Sequence, residues 1–106
     1  MDRLNELQSI VTKLIDEFAE DWNPHDGTSI EAVIDQTHGH FQIIRTGWKD
    51  DLFVHMCLVH LVIRSGKIEL LKNETEILWD QELMDRGVLP GEIVLAFRHS
   101  QTPVQQ

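Results

Sequence analysis

The chain has 106 residues, 42% of them hydrophobic and 25% charged, and nine Lys+Arg against eighteen Asp+Glu give a formal net charge of −9. One compact domain with a real core fits that length, which excludes disorder and a disulfide scaffold; the single cysteine, Cys57, has no internal partner and points to a reducing, cytoplasmic setting. No charge-free apolar run reaches the ~20 residues of a membrane helix, no basic-then-apolar leader pattern is expected at the start, and the acidic balance argues against direct nucleic-acid binding.

Leu4, Leu7, Val11, Leu14, Ile15, Phe18 and Trp22 recur at steps of three and four, so the spacing predicts an amphipathic helix over about residues 3–22. Asp2 is its N-cap and Asn23-Pro24 its end. From Thr28 the period becomes two, with Ile30, Ala32 and Ile34 on one face of a first strand. Thr37-His38-Gly39 reads as a turn into a second strand, residues 40–48. After Lys49-Asp50-Asp51 comes a third strand, residues 52–64. It is apolar at almost every position and therefore expected to be covered on both faces.

Ser65-Gly66 is a tight hairpin leading to a fourth strand, residues 67–71. Asn73 with Glu76 has the spacing of a capping box, predicting a helix to about Arg86 with Gly87 just beyond it. The apolar residues of that helix stand all round its wheel and define no buried face. Leu89-Pro90-Gly91 then turns the chain into a fifth strand, residues 92–97. The expected architecture is a single α+β domain over residues 1–106, in the order α-β-β-β-β-α-β. It is an antiparallel four-stranded meander with a fifth strand returned in parallel by the second helix. Such a sheet has two edges to protect, and a homodimer is one expected solution.

Six histidines and eighteen carboxylates make metal and acid–base sites the first possibilities to weigh. A metal site needs several ligands converging from one face. In a regular strand His55 and His60 point to opposite faces, Cys57 sides with His55, and no second ligand pair completes a set. Cys57 sits between Met56 and Leu58 in the most apolar strand, which favours a buried, inert thiol. The carboxylate pairs fall on helix polar faces or in turns. No phosphate loop, nucleophile elbow or zinc-protease helix is present, and neither metal nor cofactor is expected. Trp48, at a strand end, either caps the core or faces a partner.

The ordered strings His40-Phe41-Gln42…Gly47-Trp48, Cys57-Leu58-Val59-His60, Ser65-Gly66-Lys67-Ile68, Thr75-Glu76, Glu82-Leu83, Gly87-Val88 and Glu92-Ile93-Val94-Leu95-Ala96-Phe97 resemble the XisI-like family. These are the fdxN-element excision controlling factors of cyanobacteria. The resemblance implies a small α+β accessory protein of programmed DNA excision. It also implies a companion of endonuclease-like type (XisH-like) and a separate recombinase, with no catalytic residues to carry over. This chain departs from the family pattern at Val62, where an acidic residue is usual, at Glu69, at Asn73-Glu74, and in lacking the longer tail after Gln106.

The reading that follows is a non-enzymatic controlling factor acting through protein contacts, with His40, Trp48, His60, Lys67, Thr75, Glu76 and Glu82 as candidate motif or interface residues. The alternative is a small ligand-binding or hydrolytic domain whose cleft gathers His60, Glu76 and Glu82. A DNA-binding surface would have to be built from Arg45, Lys49, Arg64, Lys67, Lys72, Arg86 and Arg98.

Overall fold

The computed structural model of the chain describes residues 2–96. Helix α1 (Arg3–Asp21) starts where Asp2, in extended conformation, accepts a hydrogen bond from the Leu4 amide. It ends at Trp22, whose N–H reaches the Phe18 carbonyl at 3.1 Å. Its stripe of Leu7, Val11, Leu14 and Ile15 is buried. The cover for that stripe is a five-stranded sheet of β1 (Thr28–Asp35), β2 (His40–Lys49), β3 (Leu52–Arg64), β4 (Lys67–Asn73) and β5 (Ile93–Leu95), in that spatial order. The first four strands pair antiparallel and β5 pairs parallel to β4, as the α+β order predicts. A short helix α2 (Trp79–Asp85) makes the crossover and packs beside α1 on the same sheet face, where Trp79 and Leu83 join the core.

Three local expectations need correction. The Asn73–Glu76 spacing is not a helix cap. Asn73 is the last residue of β4, the Glu74 N–H still reaches back to the Leu58 carbonyl at 2.7 Å, and α2 begins only at Trp79. The Asn73 amide instead organises the loop. Its Oδ1 accepts from the Thr75 N–H (2.9 Å), the Thr75 hydroxyl (2.5 Å) and the Trp79 indole (3.2 Å), while its Nδ2 donates to the Ile77 carbonyl at 2.9 Å. The fourth strand is accordingly longer than residues 67–71. The fifth is shorter than residues 92–97, because Pro90–Glu92 form a 3-10 turn and Ala96 a turn; Phe97 lies outside the described residues.

The third correction concerns β3. Its pairing with β2 shifts between Ile43 and Ile44, so that Ile43 faces Val59 but Ile44 faces Cys57, leaving Leu58 as an extra residue. A bulge of this kind resets the alternation. Before it Met56 packs on the helix side; after it Val59, Leu61 and Ile63 do. The outward residues are therefore 53, 55 and 57, then 60, 62 and 64. His55, Cys57 and His60 share one face, contrary to the regular-strand expectation. Nor is β3 covered on both faces. Leu52 and Phe53 are 65% and 52% exposed, because among the described residues both helices lie on the other side of the sheet.

Candidate functional site

The open sheet face carries two groups of side chains. At one end Trp48 pairs with Phe53 across β2 and β3, ring centroids 5.2 Å apart in an edge contact, and Phe53 stacks on His55 with an interplanar angle of 4°. Trp48 is 61% exposed, which answers the question left by the sequence: it does not cap the core. Further along, His40 Nδ1 lies 3.0 Å from His60 Nε2. At that separation one nitrogen donates a proton and the other must be bare, so the pair shares a single proton between the rings. Burial, followed by the nearby charges of His40 and Arg64, pushes the His60 pKa down, which favours it as the neutral acceptor. Beside them the Cys57 Sγ–H donates to the Val59 carbonyl at 3.2 Å, and burial raises its pKa, so the thiol is a poor nucleophile.

The remaining candidates lie elsewhere. Thr75 is the second member of the Asn73 loop, its hydroxyl 3.1 Å from the Trp79 indole nitrogen. Glu76 is exposed on the rim of an open hollow of about 420 Å3, shared with Phe18, Trp22, Glu74, Thr75 and Ile77. Glu82 accepts from Arg86 at 2.7 Å in an adjoining hollow. Lys67 Nζ donates to the Gly91 carbonyl at 2.8 Å and ties β4 to the turn before β5. The structure thus brings His40 to His60 and Thr75 to the margin where Glu76 stands. The cleft of His60, Glu76 and Glu82 does not assemble: His60 faces outward on β3, while the two glutamates belong to the helix side of the sheet. Among the described residues no three His, Cys, Asp or Glu side chains are grouped to hold a metal ion.

Cations are mostly held by the protein's own acids. Arg45 is paired with Asp26 and receives help from the Thr28 hydroxyl at 3.0 Å. The Thr28 hydroxyl and amide, with Arg45, hold the Asp26 carboxyl below its ordinary range. Arg64 grips Glu69 at 2.7 Å and Arg86 spans Glu82 and Glu17. Arg45 lies on the helix side of the sheet and Arg64 on its open face; Arg98 is outside the described residues. Sequence reasoning gave Asn73 the role of a helix cap and not that of the loop's organiser, and it did not find Phe53 as the partner of Trp48. The Asn73-x-Thr75 pattern of an Asx-type turn was the available signal for the first.

The family model described as XisI protein matches residues 1–104. The chain belongs to the XisI family. An XisI-like protein from Anabaena variabilis shares the fold at a TM-score of 0.87 and 27% identity, covering 96% of this chain and 99% of its own. The fdxN element excision controlling factor XisI from the same organism matches at a TM-score of 0.81 and 22% identity, over 92% and 95% of the two chains, a likeness of fold. No curated protein sequence matches. In this member of the XisI family the Cys-x-x-His string is Cys57 to His60. The Leu58 bulge lies inside it and delivers both ends of the string to the open face.

Proposed function

We propose that this chain is a non-enzymatic controlling factor for excision of a programmed DNA element, acting in the cytoplasm by contact with an endonuclease-like (XisH-like) companion. Membership of the XisI family supports the setting. The observation that carries the protein-contact reading is electrostatic: the chain has a net charge of −9, and Arg45, Arg64 and Arg86 are each already engaged by one of its own carboxylates. A field of that sign repels nucleic acid and speeds encounter with a basic protein.

The test is co-expression with the companion encoded beside it, followed by affinity purification at 50–100 mM and at roughly 500 mM salt, where screening shortens to a few ångströms. Association at low salt that weakens at high salt is the expected result. Failure to associate at low salt refutes the reading, as does a gel shift of DNA by this chain alone.

A further inference from the structure

The hollow between the last turn of α1 and the loop after β4 has features that the fold alone does not require. Its floor is aromatic: Phe18 and Trp22 meet edge-on with centroids 5.4 Å apart, and Trp79 tilts against Phe18 from behind at 5.5 Å. Ile77 adds an apolar wall. Its rim is acidic, with Glu74 and Glu76 both exposed, and the nearest cation, Lys72, stands 4.0 Å from Glu74. The helix end beside it is acidic as well. Glu20 and Asp21 occupy the last turn of α1, which carries no basic residue, and among the described residues neither they nor Glu76 has a cationic partner.

Carboxylates at a helix C-terminus add to the partial negative charge of the exposed carbonyls and are unfavourable there. The volume, about 420 Å3, lies within the roughly 300–1,000 Å3 of ligand-binding clefts. Aromatic side chains lined up with two rim carboxylates match one side-chain chemistry: a cation on an aliphatic stem, with the stem against Ile77 and Phe18 and the charge beside the Trp22 indole and Glu74 and Glu76.

We infer that this groove is the docking site for an arginine or lysine side chain within a basic segment of a partner protein. The inference rests on the protein-contact reading above and names the chemistry of the segment that the companion presents. Charge selects the occupant. A second copy of this chain, at −9, is repelled, whereas a basic segment gains both from the rim carboxylates and from the ring faces.

The experiment follows the indole N–H resonances of the full chain during titration with a short peptide of alternating arginine and glycine at low salt. The same peptide with glutamate replacing arginine is the control. Trp22 lines the groove and Trp48 lies on the opposite sheet face, so the three indoles include an internal reference. The expected result is a saturable shift of Trp22 with Trp48 unmoved, no response to the glutamate peptide, an affinity about tenfold lower in the Glu74→Gln/Glu76→Gln double variant, and a several-fold loss in Trp22→Phe.

The inference is overturned if Trp22 does not move, if Trp48 shifts equally, or if the double variant binds as the wild type does. The companion separates the two ideas. A wild-type chain that captures it, with a double variant that captures it equally well, removes the groove and keeps the contact reading. A wild-type chain that does not capture it removes the contact reading, while the peptide titration still decides the groove.

Discussion

Gly39 and Gly66 both pass through positive φ, at 75° and 73°, yet their surroundings differ. A Cβ on Gly66 would meet nothing within 4 Å, whereas one on Gly39 would lie 2.4 Å from the Ile63 carbonyl oxygen. Gly39→Ala should therefore cost more than the 1–2 kcal/mol left-handed penalty that Gly66→Ala incurs, with a further ~1–3 kcal/mol for overpacking against a backbone atom. Urea midpoints of the two variants check this, and equal midpoints would refute it. His60 offers a second test. Its folded pKa is lowered by burial and neighbouring charge, so as pH falls through about 6.5 the unfolded chain takes up a proton that the folded ring resists. Stability should fall between pH 7.5 and 5.5, above the range where carboxylates titrate. The fall should be smaller in His60→Gln, measured by urea unfolding at the two pH values. Of the candidate residues, His40 and His60 were named from the sequence, but their meeting was not legible. It depends on a bulge between two apolar residues, Leu58 and Val59, and a pair of large aliphatic side chains looks the same in a regular strand as in a bulged one.

Among the elements, α1 and the antiparallel meander were readable because a period of 3.6 and a period of two are imposed by one-sided burial. Asn73 shows why the start of α2 was not. The same side chain that caps helices also closes Asx turns, and which it does depends on whether the preceding residues are still bonded in a sheet. Here the Leu58 carbonyl, exposed at the bulge, holds Glu74 in the ladder. Asn73→Ala removes the acceptor of three hydrogen bonds and the donor of one, and leaves the indole of Trp79, 1% exposed, with only Thr75. The expected loss is about 2–4 kcal/mol, whereas Asn73→Asp keeps the acceptor of three bonds, sets a second carboxylate oxygen against the Ile77 carbonyl, and should still lose less. Chemical denaturation of both variants, with the Trp79 indole resonance as a local probe, decides it.

Across the whole molecule the first and last elements are fastened by Arg3. Its guanidinium donates to Glu92 at 2.9 and 2.5 Å and to the Gly87 carbonyl at 3.0 Å, and the Arg3 hydrogen bonds hold the Glu92 carboxyl below its ordinary range. The pair is partly exposed, so Arg3→Met should leave global stability nearly unchanged. Strand β5 is three residues long and among the described residues pairs with β4 alone, so its amide protons should exchange distinctly faster in Arg3→Met while those of β2 and β3 stay unchanged. Equal exchange at Ile93–Leu95 in both proteins would show that the clasp is ornamental.

The irregularity at Leu58 also governs how this chain tolerates length changes. Deleting that one leucine would make Cys57 and Val59 neighbours opposite Ile44 and Ile43, so β3 would run with an uninterrupted pleat and every other side chain would keep its side. Phe53 and His55 would stay on the open face, and Met56 would stay against the core. Point substitutions there are a matter of packing, and a single-codon deletion straightens the strand without exchanging its inside and outside.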